Sequence, residues 1–323
     1  MTEHFKSDTR GMEVAEMFPE RLKHKTFILA GLVRGELAAT VADVLSHGGA
    51  GCIIFTGGSQ SALQSTLTHI HRKHPKTKIL FITADTNDLA SMREAANTIK
   101  ALDVPIDGII CFQTVMAATW ETTVNGIESH FQKNYLGYFV LVNLLLETLS
   151  QGSRVVLMTT SIRREAAAPK WEDVNFSTGE TYHCLDGYAQ SMFANIQFAK
   201  SLASRCLDRS ISSFSVNPGN TKTNVQTYVT PEVVESWLQC KKDVGEELPI
   251  LLQQAPKSQS QASASVLRGL LDPTLEEKSG AFLDNCQVLP LPHLDFPAGT
   301  ESAAALWKLS EELVDRAGLG QLV

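Results

Sequence analysis

The stretch "TYHCLDGYAQSM", residues 181–192, gathers the side chains in this chain best suited to chemistry. Histidine side chains ordinarily titrate near neutrality, and His183 is the candidate general base. Tyr188 carries a hydroxyl whose ordinary pKa is about 10. With no cation beside it in the sequence, that hydroxyl can donate a hydrogen bond or act as a weak acid, but it is a poor base at pH 7. Four residues on stands Met192, an apolar gap-filler. Tyr182, Cys184 and Asp186 lie among these residues, and the upstream "PKWED" adds Trp171, Glu172 and Asp173. A separate cluster, "HIHRKH", holds His69, His71 and His74. Its spacings do not put all three imidazoles on one helical face, so it reads as a solvated helix end and no metal site is expected.

These side chains need a scaffold, and the rhythm of the chain supplies one. Short apolar runs, "TFILA" at 26, "CIIFT" at 52, "KILFIT" at 78, "DGIICF" at 107, "RVVLM" at 154 and "ISSFSV" at 211, alternate with helical patterns near 36–47, 60–73, 88–101, 121–149 and 188–206. Such alternation predicts an α/β fold, a Rossmann-type doubly wound parallel sheet flanked by helices. Residues 1–323 read as a single domain with an irregular N-terminal arm over 1–25. The segment 220–260 leaves the sixth strand at the sheet edge where open α/β folds bind ligands, and it is expected to form a substrate lid.

Composition narrows the partners. The 323 residues are 43% hydrophobic and 20% charged, as in ordinary soluble proteins. A formal charge of −7 disfavours attraction to nucleic acid or to an anionic membrane surface. The longest apolar run, "YFVLVNLLLETL" from Tyr138, is interrupted by Asn143 and Glu147 and is too short for a membrane span. Six cysteines without CxxC spacing, and no recognisable leader segment, fit a cytoplasmic location. An apolar small molecule is the expected partner.

The order of the motifs resembles the short-chain dehydrogenase/reductase family over nearly the whole chain. "AGLVRGEL" follows the first strand and "QTVMA" the fourth, "NYLGYF" lies in the long helix, "MTTS" ends the fifth strand, and "YAQSM" and "VNPGNTKT" follow. Both ends of the chain resemble those of retinol-dehydrogenase-like and fungal reductases. The resemblance implies catalytic roles for Tyr188, for Asn134 as keeper of a relay water and for Thr160 in the place of a serine. It implies a dimer through the helices at 121–149 and 188–206. It also implies cofactor contacts at Gly31, Gly35, Asp85, Pro218, Gly219 and Thr223, though a strand-end cap serves equally for Asp85 and a fold-closing turn for Pro218 and Gly219.

Several positions depart from the family pattern. Leu37 replaces the last glycine of the phosphate turn, and Gly58 lies where a cofactor-selecting charge is usual. Cys111, Phe112, Gln113 and Thr114 stand in place of NNAG, and Met192 replaces the lysine. All of these would touch one ligand, so weakened or lost nicotinamide binding explains them together. The expectation is therefore an enzyme without a cofactor, catalysing a dehydration, isomerisation or cyclisation of a natural-product-like substrate. If the site survives, the alternative is an NADP(H)-dependent ketone or aldehyde reductase; a catalytically silent binding subunit is the third reading.

Overall fold

Strands buried on both faces should read as unbroken apolar runs, and β1 (Thr26–Ala30) is buried at every residue. In the computed structural model, which describes residues 5–32, 36–112, 115–160, 169–221, 229–243, 256–289 and 300–322, it is the third strand from one edge of an eight-stranded sheet. The other strands are β2 (Cys52–Gly57), β3 (Lys78–Thr83), β4 (Ile106–Cys111), β5 (Leu149–Met158), β6 (Ser212–Asn217), β7 (Phe282–Asp284) and β8 (Gln287–Leu289). Their order is β3-β2-β1-β4-β5-β6-β7-β8, parallel up to β7, with β8 antiparallel to it. The order reverses between β1 and β4, the type of switch point at which such sheets take ligands.

Alternation along the strands divides the core into two layers. Ile28, Ile54, Ile109 and Val155 face α4 (Leu89–Lys100), α5 (Ser129–Phe131), α6 (Gly137–Leu145) and α7 (Cys184–Arg205). Their neighbours Phe27, Ile53, Ile110 and Val156 face the opposite layer. That layer holds α1 (Gly11–Met17), α2 (Glu36–His47), α3 (Gln60–Lys73) and α9 (Gln259–Leu271). Between α7 and α9 lies α8 (Pro231–Asp243), and α10 (Thr300–Arg316) closes the chain.

Three regions differ from the sequence expectation. The N-terminal arm is helical over α1 and packed, because Gly11 lets its backbone approach Ser263 of α9 so closely that a Cβ would fall 2.3 Å from the serine oxygen. The long helix begins at Ser129 rather than near 121, since the preceding residues form a turn with a Thr122–Glu128 bridge. Helices α6 and α7, in the stretches through which a dimer is expected, carry α10 on part of their surface. There the Trp307 ring packs 4.9 Å from Phe139 and 5.9 Å from Phe198, and the Tyr135 hydroxyl lies 2.6 Å from Ser310 Oγ. With that surface occupied from within, light scattering of the purified chain is expected to give the mass of a monomer; a dimer that survives truncation of α10 would contradict this.

No helix among the described residues is long and apolar enough to cross a membrane. Nor do they hold a group of three His, Cys, Asp or Glu able to bind a metal. His69 and His71 are exposed on α3, while His74 Nε2 lies 2.8 Å from Asp43.

Candidate active site around Tyr188

Helix α7 opens at a histidine rather than the usual Ser, Thr or Asp. His183 Nδ1 accepts the Leu185 N–H at 3.3 Å, so one nitrogen of the expected general base is committed to capping the helix. One turn further, Tyr188 is 2% exposed and Met192 is wholly buried. With Met116, Ala117, Leu185 and Ala189 they form an apolar cluster, and Val229, Val233 and Leu238 pack on it. Val233 and Leu238 belong to α8, so this described part of the segment expected to act as a lid packs on the cluster that contains the tyrosine. Thr160, also buried, follows β5, and its neighbour Thr159 donates from Oγ1 to the Met192 carbonyl at 3.0 Å, holding α7 to the strand.

Asn134 sits in a π-helical turn, Gln132–Leu136, between α5 and α6, a distortion common at functional sites. Its side-chain amide donates to Val115 O at 2.8 Å and Ser191 Oγ at 3.1 Å, and its Oδ1 accepts from Val115 N at 3.1 Å. Both amide protons are thus used within the protein. The main-chain carbonyl of Asn134 accepts from Asn195 Nδ2 at 3.0 Å, and the same nitrogen reaches Met158 O at 3.0 Å. Asn134 therefore acts on what surrounds Tyr188 by fixing the loop after β4.

The other end of that loop is fixed by three residues that spacing does not connect. Glu128, wholly buried, caps α5 by accepting from His130 N at 2.9 Å and Phe131 N at 2.8 Å. Its Oε1 also lies 2.9 Å from His130 Nδ1. Since Ala118 N–H donates to Nε2 at 3.3 Å, the imidazole proton belongs on Nδ1, facing the carboxylate. Tyr182 donates to Ala118 O at 2.9 Å and lies 2.9 Å from His130 Nδ1. Burial, and after it the Glu128 carboxylate, push the Tyr182 hydroxyl well above the usual tyrosine range. The His130 ring meets Tyr188 edge-on at 6.2 Å. The one sequence signal for this arrangement is that His130 and Asn134 are four residues apart on one helical face.

The expected cofactor positions are placed unevenly. Gly31 has φ +86, and a Cβ there would lie 1.6 Å from the Tyr138 hydroxyl, which donates to Phe112 O at 2.6 Å beneath it. Leu37 is buried in the core layer of α2. Gly58 is exposed, with nothing within 4 Å of a Cβ built on it. Asp85 accepts Asn87 N–H at 2.9 Å, a turn-capping role. The Trp171 loop turns away toward α10, with its indole N–H on Ser302 Oγ at 3.3 Å. Pro218 and Gly219 follow β6. Gly35, Gln113, Thr114 and Thr223 lie outside the described residues.

A nicotinamide dinucleotide would have to meet this surface, and its two halves fare differently. The adenosine side is open at Gly58. On the ribose side, Met192 places a thioether, in a cluster against which Val233 and Leu238 of α8 pack, where the resemblance implies a lysine.

The short chain dehydrogenase family model matches residues 25–172. Over those residues the chain is similar to the short-chain dehydrogenase/reductase family. The WW domain-containing oxidoreductase of Homo sapiens is 27% identical over 304 residues, 90% of this chain and 68% of that protein. Oxidoreductase fscI of Fusarium equiseti is 29% identical over 244 residues, 67% of this chain and 94% of that one. Among solved structures, an uncharacterised protein from Mycobacterium Paratuberculosis superposes with a TM-score of 0.69 at 23% identity, covering 93% of this chain and 97% of that chain. A short chain dehydrogenase from Burkholderia cenocepacia in complex with NADP gives 0.59 at 20%, covering 81% and 96%. At these identities the structural likeness concerns the fold.

Proposed function

We propose that this chain is a family member that does not transfer hydride and instead catalyses a non-redox conversion, such as a dehydration, isomerisation or cyclisation, of a largely apolar small molecule. The observation that carries this reading is Met192, wholly buried beside Tyr188 under Val233 and Leu238. Such a pocket suits an apolar body presented to few polar groups. In this reading Tyr188 donates a hydrogen bond or proton to a carbonyl or leaving hydroxyl, and Thr160 supplies a second donor. His183, whose Nδ1 accepts at the helix cap, carries the proton of its neutral ring on Nε2 and so offers a hydrogen-bond donor there rather than the general base expected from the sequence. Asn134 and the Glu128, His130 and Tyr182 network hold the loop at 115–118 in place, so that tyrosine and loop present a fixed geometry to the substrate.

A reductase reading has its own support in the open space at Gly58, the retained positive φ of Gly31 and relatives named as oxidoreductases. Calorimetric titration with NADPH and NADH separates the two. The non-redox reading expects no heat of binding up to about millimolar cofactor, a concentration at which even an affinity of about −4 kcal/mol registers. Micromolar binding would overturn it in favour of an NADP(H)-dependent reductase.

A further inference from the structure

Lysine seldom buries its ammonium, and when it does the charge is normally paired. Lys257, just before the Ser258 cap of α9, is an exception. Its Nζ is buried and has no hydrogen-bond partner among the described residues. Its stem lies along Gly219: a Cβ on that glycine, which has φ +89, would fall 2.8 Å from Lys257 Cδ and 3.5 Å from Nζ. The lysine backbone is pinned to the same turn, its N–H donating to Asn220 O at 2.8 Å. Gly219 thus admits the lysine side chain to the C-terminal edge of the sheet, a role beyond the turn or the cofactor contact expected from the sequence.

A second unpaired donor stands at this turn. Asn217, the last residue of β6, is 2% exposed. Its Oδ1 accepts Gly219 N–H at 3.0 Å, while its Nδ2 is buried without a partner among the described residues. Asp284, in register with Asn217 on β7, and Cys286 act on the ammonium through space without accepting its hydrogen bond. Burial holds the Lys257 ammonium below the usual lysine range. Two buried donors without a hydrogen-bond acceptor among the described residues leave a site that an external acceptor completes, and the ammonium favours an anionic one although the Asp284 carboxylate, with a buried Oδ1, lies near it.

We infer that Lys257 and Asn217 bind the anionic head group, a carboxylate or a phosphate, of the substrate whose apolar body lies against the Tyr188 cluster. This rests on the non-redox reading for the word substrate, but the anion site itself does not. The test is calorimetric titration of the full chain with octanoate, its neutral counterpart 1-octanol and inorganic phosphate, on the wild type, K257M and K257R. Octanoate is expected to bind K257M about tenfold more weakly than wild type or worse, the size of one charged hydrogen bond. K257R should keep most of the affinity, and 1-octanol should not distinguish the three proteins.

Melting without ligand supplies an independent readout. Exchanging an uncompensated buried charge for an isosteric apolar group raises Tm, whereas loss of a lysine that serves the fold lowers it. A higher Tm for K257M with weaker octanoate binding supports the site. Phosphate binding that depends on Lys257, without octanoate binding, also supports it and names the phosphate source. Equal octanoate affinity in wild type and K257M, binding of neither anion, or a lower Tm for K257M overturns it. NADPH binding to wild type and K257M alike would instead remove the non-redox reading and leave the anion comparison standing.

Discussion

Met192→Lys, the change that restores the family's usual residue, is expected to destabilise this chain by about 3–5 kcal/mol, the cost of an unpaired charge in the interior. Met192 is wholly buried among Met116, Ala117, Leu185, Tyr188 and Ala189, with α8 packed over them. A lysine there has no carboxylate in that cluster to meet, and burial depresses its pKa below the unfolded value of about 10.4. The penalty is therefore full at neutral pH, where the unfolded chain gains from holding the proton. It fades as pH rises toward 10.4. Urea denaturation at pH 7 and pH 9.5 measures both parts, as a lower midpoint at an unchanged slope and a smaller loss at the higher pH. A loss under about 1 kcal/mol at pH 7 would mean that position 192 faces a hydrated cleft, as a dinucleotide site requires, and the reductase reading would gain by it.

Why the sheet was legible in the sequence and much of the site was not follows from the range of the interactions. Strands such as β1 announce themselves because burial on both faces demands continuous apolar runs such as "TFILA". The strands β7 and β8 have three residues each, too few for any period to show. Helix α1 has seven residues and owes its place to the approach of Gly11 to Ser263, a contact no local pattern encodes. At the site, Tyr188 and Met192 were legible as a pair because both lie on one helix. Asn134 was legible as a polar residue, but its commitment to the backbone of Val115, 19 positions away, was not. The bond of Tyr182 to His130 spans 52 positions, and Lys257 stands alone in a Gln- and Ser-rich tract. Polar networks assembled from distant loops carry no periodicity, so the sequence names the participants without showing which of them meet.

Glu128→Ala tests whether that network acts as one unit. The substitution removes the acceptor for the N–H groups of His130 and Phe131 and for His130 Nδ1. All of this lies in the interior, since Glu128, His130 and Phe131 are wholly buried. Three donors stranded together, one of them an imidazole that keeps no other acceptor as strong, are expected to cost about 3–5 kcal/mol. Glu128→Gln should cost clearly less, because its carbonyl oxygen still accepts two of the three. The effect should also be local. His130 and Tyr182 together hold Ala118, whereas Asn134 holds Val115, so hydrogen exchange at Ala118 should accelerate well before that at Val115. If the two amides lose protection equally, the loop opens as one piece and the two ends are not separately fixed. If neither changes, Glu128 serves only as a helix cap, and the edge-on contact between His130 and Tyr188 no longer links the carboxylate to the tyrosine. The expected pattern would leave Tyr188 as the end of a relay-like chain of contacts that orients it. In the reading proposed above, that orientation takes the place of the lysine that the resemblance implies, directing the tyrosine hydroxyl toward a substrate oxygen.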